Sequence, residues 1–355
     1  MWKDPKAGHS VLDELVEQEP ELHHYTTYGG IRGILETNTL WATHFRATND
    51  RTEFRLLHDL LTNEVRNQLE PIFNKLARED SWFREQASRV SGSIEQHLID
   101  HTLGMVDSMY HFDIGDPASD LSSKSLDDGA FITCFCAHNA DTDYVKRNGL
   151  LSQWRGYTSV TKYCVVFDTR RLVELARREV DHHLLRFMTF DRVVYADDKL
   201  PADDEYQDLA EFAATKIQSV VSRASVNYTV RSKAFDRLGP FLSFLACATR
   251  TKHASFSEER EIRIVVVRGG PELIRKARLA RIKLEPRRPK TLKSRVRDGN
   301  SVHYVALFDE LKLSLPVKRI IVGPSNHQQK DLELLRSFVP ASIPIELSAI
   351  PFVGS

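Results

Sequence analysis

The sequence predicts an α+β fold in which helices and strands occupy separate stretches of the chain. Helical patterns concentrate in two stretches, residues 52–110 and 204–249. Short apolar runs typical of strands fill much of the remainder, and the two element types do not alternate regularly, as they would in a parallel βαβ architecture. We therefore expect residues 21–355 to form a single α+β domain with two helical insertions, and residues 1–20 to form an N-terminal extension.

The first predicted strand ends in the polar run His24-Tyr25-Thr26, and a glycine turn follows it at once. A short helix and a second strand, Leu40–Thr43, come next. A polar run at the end of a strand, beside the backbone N–H groups of a helix start, suits a bound sugar-phosphate. The structural alternative is a half-buried histidine with a satisfied ring, and the local pattern does not choose between the two.

The later elements follow from apolar spacing. Residues 52–73 have the pattern of an amphipathic helix, which Asp50 and Glu53 can cap. Thr169 can cap the helix RRLVELARRE. The remaining strands are predicted in AFITCFC, KYCVVFD, LLRFMTFDRVVYA (one or two strands), EIRIVVV, ARIKLEP, HYVALF, VKRIIVG and PIELSAI.

The composition is that of a globular chain without an overall charge. The 355 residues carry 49 Lys and Arg against 49 Asp and Glu, so no net field steers the molecule to DNA or a membrane. No run approaches eighteen apolar residues, and the acidic N-terminus is unlike a signal peptide. Four cysteines in such a chain do not form a disulfide framework. These features predict a cytoplasmic protein without a membrane partner.

Charge is nevertheless segregated along the chain. Residues 275–297 hold eleven Lys and Arg against the single acid Glu285. A solvated hairpin is the favoured interpretation, and the alternative is a patch that binds the phosphates of a substrate or a nucleic acid. No aromatic residue lies within the segment, so base stacking there is not predicted.

A second group of charged residues lies in HASFSEEREIRIVV. Glu259, Glu261 and Arg263 alternate into a strand, so we expect all three side chains on one face. An ion pair between Glu261 and Arg263 is the structural interpretation. The functional one is a carboxylate that stabilises positive charge on a sugar in a transition state.

Aromatic and sulfur-containing residues give two weaker signals. Trp154 and Tyr157 precede a strand. A tryptophan at such a position most often packs in the hydrophobic core, but it can also line a pocket that binds a flat ring. Cys134, Cys136 and His138 lack the spacing of a zinc site, so we expect buried, inert thiols and no metal site. The glycine-rich signatures of dinucleotide-binding and P-loop folds are absent from the sequence.

Taken in order, these motifs resemble the bacterial family DUF2971, whose function is unknown. The resemblance runs from about residue 20 to 350. It departs from the family at Cys136, where serine is usual, and at Lys162, where glycine is common. The matching residues are His24-Tyr25-Thr26, Gly33-Ile34-Leu35, Leu40–Thr43, Asn49-Asp50 with Glu53-Phe54, Cys134-Phe135-Cys136, Gln153-Trp154 with Tyr157, Phe256 with Glu259, Glu261 and Arg263, and IIVGP at 320–324.

The beginning and end of this family are in turn similar to NAD-dependent ADP-ribosyltransferases of the DNA-modifying toxin type. That similarity implies a split β-sheet core with a helical insertion and NAD as a substrate. It implies Glu261 as the catalytic carboxylate, with Glu259 as a general base that activates the acceptor. The residues implied to contact NAD are His24, Tyr25, Thr26, Trp154, Tyr157 and Arg263.

The implied function is that of a toxin or phage-defence effector. It would cleave the nicotinamide–ribose bond and transfer ADP-ribose to a macromolecule, with nucleic acid recruited through residues 275–297. Two alternatives stay open. One is a non-catalytic nucleotide-binding sensor or partner module. The other is a metal-dependent nuclease that uses Asp50, Glu53, Glu259 and Glu261.

Overall fold

The computed structural model describes residues 11–48, 53–81, 84–85, 129–156, 163–224, 238–269, 287–297 and 299–351. The described helices are α1 Val11–Gln18, α2 Tyr28–Thr37, α3 Glu53–Glu79, α4 Asp143–Asn148, α5 Leu151–Gly156, α6 Thr169–His182, α7 Asp204–Ala224, α8 Leu238–Arg250 and α9 Gln328–Arg336. The described strands are β1 Glu21–Thr26, β2 Leu40–His44, β3 Ala130–Ala137, β4 Tyr163–Asp168, β5 His183–Arg192, β6 Val194–Ala196, β7 Thr251–His253, β8 Glu261–Arg268, β9 Arg288–Pro289, β10 Leu292–Arg297, β11 Asn300–Leu307, β12 Val317–Val322 and β13 Ile345–Leu347.

The chain divides into two compact units, where the sequence predicted a single domain over residues 21–355. The sheet unit comprises residues 1–48, 130–193 and 256–355, and the helical unit comprises residues 49–129 and 194–255. Both predicted helical insertions, at 52–110 and 204–249, fall within the helical unit. The predicted α+β class is confirmed, because a large mixed sheet and several helices make up the described chain.

The sheet unit is built on a sheet of eleven described strands. Its main path runs β10-β11-β2-β3-β1-β4-β12-β13, and β8, β5 and β9 continue from the other edge of β3. Strand β3 pairs with β8 from Ala130 to Cys136, so β1 and β2 must share its remaining edge. Strand β2 pairs with β3 at Phe131 and Ile132, and β1 pairs with it at Cys136 and Ala137. The sheet therefore opens between β1 and β2 beside residues 133–135 of β3. We call this gap the fork.

The core of the sheet unit extends into the predicted N-terminal extension. Strand β8, EIRIVVVR, is buried along its whole length, as its run of β-branched residues predicts. In α1, Leu12, Leu15 and Val16 are buried in the same apolar cluster as the central strands. Residues 11–18, which the sequence analysis assigned to the N-terminal extension, thus contribute apolar side chains at helical spacing to this core.

Most predicted elements that fall on described residues are confirmed. The segment LLRFMTFDRVVYA forms two strands, β5 and β6. The predicted cap of α6 is wrong by one residue, because the side chain of Asp168, not Thr169, accepts the N–H of Arg171, at 3.0 Å. The segment ARIKLEP and the predicted cap Asp50 lie outside the described residues.

The helical unit contains α3, α7 and α8 with a two-stranded parallel sheet of β6 and β7. Tyr206 of α7 is fully buried, and its hydroxyl lies 3.2 Å from that of Thr251. Among the described helices, none is both long enough and apolar enough to cross a lipid bilayer.

Candidate active site

The register of the central strands brings several of the predicted site residues onto one face of the sheet. Cys136 lies opposite Glu261 and Cys134 lies opposite Arg263, so these four side chains project from the same side. His23 lies opposite Cys136, which places Tyr25, two residues later on β1, on that side as well. We call this side the glutamate face.

The same register separates the members of the polar run on β1. Because side chains alternate along a strand, His24 and Thr26 project from the face opposite to Tyr25. His24-Tyr25-Thr26 therefore does not form one continuous binding surface. A ligand on the glutamate face can meet His24 only through the fork.

Glu261 and Arg263 form a buried bidentate ion pair at the start of β8. Arg263 Nε donates to Glu261 Oε1 at 2.8 Å, and Arg263 Nη2 donates to Glu261 Oε2 at 3.0 Å. Both side chains are only 3% exposed. The ion pair anticipated from the sequence is therefore present, and it fixes the orientation of the Glu261 carboxylate.

Glu259 does not alternate into the strand as predicted. It ends the 3₁₀ segment Ala254–Glu259, and Arg260 has a left-handed backbone with φ 42°. That turn breaks the two-residue periodicity before β8 begins at Glu261. Glu259 is half-buried and still lies near the glutamate face. Burial, followed by the charges of Glu261 and Glu259, raises the pKa of the Cys136 thiol well above its ordinary value.

Side chains replace missing strand pairing at the fork. The Nδ1 atom of His24 lies 2.8 Å from the carbonyl oxygen of Cys134, and Thr133 Oγ1 donates to the carbonyl of Trp41 at 2.9 Å. Burial lowers the pKa of His24, and the nearby charge of Arg295 lowers it further. A neutral ring that donates from Nδ1 to Cys134 presents Nε2 as a hydrogen-bond acceptor.

Arg295 of β10 lies beside the fork on an aromatic platform. Its Cζ atom is 4.7 Å from the ring centroid of Trp41 and 5.7 Å from that of Tyr304. Its Nη2 atom donates to Thr43 Oγ1 at 3.4 Å. Thr43 pairs with both Ile132 and Tyr304, so the register places this group on the glutamate face. We call Arg295, Trp41 and Tyr304 the Arg295 platform.

The surroundings of Arg295 disfavour its positive charge. Burial, followed by the charge of Arg297, lowers the pKa of Arg295. Among the described residues, no carboxylate forms a salt bridge with it, and its Nε atom is buried without a hydrogen-bond partner. The sequence analysis identified the basic segment that contains Arg295 but did not predict this platform. The aromatic rings come from β2 and β11, which lie outside that segment.

Trp154 and Tyr25 pack against each other in a small apolar cluster. The Trp154 side chain is 5% exposed, its Nε1 donates to the Asn148 carbonyl at 3.0 Å, and its ring centroid lies 4.8 Å from that of Tyr25. The Tyr25 hydroxyl accepts the N–H of Leu150 at 2.7 Å and lies 2.9 Å from His138 Nε2. This geometry favours the core interpretation of Trp154. Tyr157 lies outside the described residues.

Two lysines in the described part of the basic segment are neutralised by carboxylates of the protein itself. Lys290 is 2% exposed and contacts Glu179 at 2.5 Å and Asp309 at 2.7 Å, and Lys293 contacts Asp309 at 2.9 Å. Strand β10, which ends the segment, pairs in an antiparallel hairpin with β11, which lies beyond it. Residues 275–286, like Asp50 of the nuclease alternative, lie outside the described residues.

One comparison with known proteins gives a match. Residues 153–264 match the model of a family described as Protein of unknown function (DUF2971). This segment is similar to that family. It includes Trp154, Glu259, Glu261 and Arg263, and it covers less than half of the chain. No curated protein and no solved structure matches the chain.

Proposed function

We propose that this protein is an ADP-ribosyltransferase that binds NAD across the fork and cleaves the nicotinamide–ribose bond. The observation that carries the proposal is the arrangement on the glutamate face. A buried carboxylate held by Arg263 and a half-buried arginine on an aromatic platform flank one opening in the sheet. The open sheet also agrees with the split β-sheet core that the resemblance implied.

The spacing of these groups suits a dinucleotide. Strands β1 and β8 lie on opposite edges of β3, roughly 10 Å apart at two strand spacings. The guanidinium of Arg295 is suited to the pyrophosphate, since it is an anion-binding group without a carboxylate partner among the described residues. His24 Nε2 can accept a hydrogen bond from a ribose hydroxyl through the fork. Glu261 would then meet the nicotinamide ribose.

The chemistry requires one oriented carboxylate and one base. As the bond between the ribose C1′ and the nicotinamide nitrogen breaks, its electron pair leaves with the neutral pyridine ring. Glu261 stabilises the resulting oxocarbenium-like sugar and accepts a hydrogen bond from the 2′-hydroxyl. An acceptor nucleophile attacks C1′ and gives its proton to Glu259. Arg263 acts by holding Glu261 in place.

The test is nicotinamide release from NAD by the purified full chain, with and without total nucleic acid. We expect Glu261→Gln to reduce release by about 10²–10³-fold. Glu333→Gln, a substitution at an exposed position of α9, is the matched control and should match the wild type. Stimulation by nucleic acid would identify the acceptor class. Equal release from Glu261→Gln would overturn the proposal. So would NAD binding without release, which would leave the binding-module alternative.

A further inference from the structure

A cluster of two histidines and a glutamate lies at the junction of α6 and β5. His182 ends α6, His183 begins β5, and Glu310 lies in the turn after β11. His182 Nε2 is 3.8 Å from Glu310 Oε2, and His183 Nε2 is 3.6 Å from Glu310 Oε1. One potential ligand atom from each residue lies within 4.8 Å of the others.

These contacts do not satisfy the ring of His183. The side chain of His183 is fully buried, and among the described residues neither ring nitrogen has a hydrogen-bond partner. A buried polar atom without a hydrogen-bond partner carries a free-energy cost, because it has lost its bonds to water. The separations of 3.6 and 3.8 Å from Glu310 exceed hydrogen-bonding distance. Some further interaction is therefore required to offset that cost.

A divalent metal ion would supply it. Zinc binds imidazole nitrogen and carboxylate oxygen at about 2.0–2.2 Å in a tetrahedral arrangement, so neighbouring ligand atoms lie roughly 3.3–3.5 Å apart. The two histidine-to-glutamate separations, 3.8 and 3.6 Å, are close to these values. One ligand atom from each residue lies within 4.8 Å of the others, so the widest separation must shorten by up to about 1.3 Å when the metal binds. We infer that His182 Nε2, His183 Nε2 and Glu310 bind a zinc-class transition metal, with water in the fourth position. Two imidazoles favour this class over magnesium and calcium.

A carboxylate behind His183 supports the assignment. Glu179 Oε2 lies 3.5 Å from His183 Nδ1 and accepts the N–H of Phe308 at 3.1 Å. The other oxygen, Glu179 Oε1, contacts Lys290 at 2.5 Å. A carboxylate that faces the second nitrogen of a metal-binding histidine fixes the tautomer and the ring orientation. Glu179 is therefore a positioning residue that directs His183 Nε2 towards the metal.

Two of the nearby cations, Lys290 and Arg288, make no hydrogen-bonded ion pair with Glu310. Lys290 contacts both Glu179 and Asp309. Arg288 is 78% exposed, and its Nη1 lies 3.9 Å from Glu310 Oε2, beyond hydrogen-bonding distance.

A surface cleft opens onto the cluster and gives solvent access to the fourth position. The cleft is lined by Arg178, Asp181, His182, Glu310, Leu311 and Leu313.

The inferred site is separate from the glutamate face. His183 begins β5, whereas Asp191, eight residues later, lies opposite Arg263. At about 3.3 Å per residue, the two ends of this strand are roughly 26 Å apart. The metal would join the α6–β5 junction to the turn that carries Glu310. We expect the metal to stabilise the sheet unit. A negative zinc-binding result would overturn this inference but would not bear on the proposed NAD chemistry.

The test is zinc titration into the chelator-treated full chain by calorimetry, followed by X-ray absorption of the loaded protein. We expect one zinc per chain, bound by nitrogen and oxygen at about 2.0–2.2 Å with no sulfur ligand. His182→Ala and Glu310→Gln should each weaken binding at least tenfold. Both positions are partly exposed, 43% and 36%, so the variants should fold.

Matched controls separate this site from adventitious binding. His327→Ala removes an exposed histidine, and Cys134→Ser removes the most accessible thiol. Both should bind zinc within twofold of the wild type, and zinc should raise the melting temperature of the wild type more than that of His182→Ala. Unchanged affinity in His182→Ala and Glu310→Gln, a sulfur ligand, or less than one bound zinc would overturn the inference.

Discussion

Arg263 donates to both carboxylate oxygens of Glu261, which lies two residues earlier on the same strand. The spacing places both side chains on one face, and the planar guanidinium matches the carboxylate with two parallel hydrogen bonds. Both groups are buried and have lost hydration. Each charge compensates part of the hydration free energy that the other has lost. The pair therefore links the stability of β8 to the orientation of the proposed catalytic group.

Breaking this pair from one side should destabilise the protein strongly. Glu261→Ala removes both hydrogen bonds that the buried Arg263 guanidinium makes with Glu261, and we expect the free energy of unfolding to fall by about 3–5 kcal/mol. The double variant Glu261→Met with Arg263→Met, which removes both charges and fills the space, should recover most of that loss. Urea unfolding followed by circular dichroism measures both. A double variant as unstable as Glu261→Ala would show that the two charges do not compensate each other.

Arg295 should control the affinity for NAD more than the fold. Arg295→Lys keeps the charge but loses the flat contact with Trp41 and Tyr304 and the bidentate geometry for phosphate. We expect it to weaken NAD binding about tenfold, equivalent to about 1.4 kcal/mol. Calorimetric titration and the NAD-induced rise in melting temperature check this. Arg170→Ala, on the exposed side of α6, is the control, and an equal loss there would refute a specific role for Arg295.

Acid should destabilise the sheet unit through its buried histidines. Burial lowers the pKa of His23, His24 and His138 below the ordinary value of 6.5. Below about pH 6.5 the unfolded chain therefore binds protons that the folded chain excludes. Stability is then lost as the pH falls towards the folded-state pKa values, by up to about 1.4 kcal/mol per pH unit for each histidine.

Urea unfolding at a series of pH values between 7.5 and 5.5 measures this slope. His24→Gln should make the slope shallower by the contribution of one proton, whereas His327→Gln, at an exposed position, should leave it unchanged. Stability that stays constant over this range would contradict the assignment of buried neutral rings.

The strands of the core could be predicted from local pattern, but the arrangement of the site could not. The run EIRIVVV is buried throughout, and that is visible in its composition. Glu259 was misplaced because Arg260 adopts a left-handed backbone without the glycine that usually signals one. The Arg295 platform and the cluster around His183 each join residues more than a hundred positions apart. Their proximity depends on strand order, which no local pattern encodes.

Cys134 offers a direct footprint of the glutamate face. Burial raises the pKa of the Cys136 and Cys164 thiols, and it raises that of Cys247 to about 12, so these three should resist alkylation in the folded protein. Cys134 is the partly exposed cysteine, and it lies opposite Arg263 on the glutamate face. Iodoacetamide should therefore modify Cys134 first, and the other three should react only after unfolding.

Binding of NAD across the fork should then protect Cys134. We expect saturating NAD to slow its alkylation at least fivefold, measured by mass spectrometry of the peptide that contains it, because the ligand would cover this face. Cys134→Ser should abolish the fast reaction and identifies the peptide. If NAD binds, as shown by a raised melting temperature, but the alkylation rate of Cys134 is unchanged, the ligand lies elsewhere. Glu261 could not then be the residue that meets its ribose.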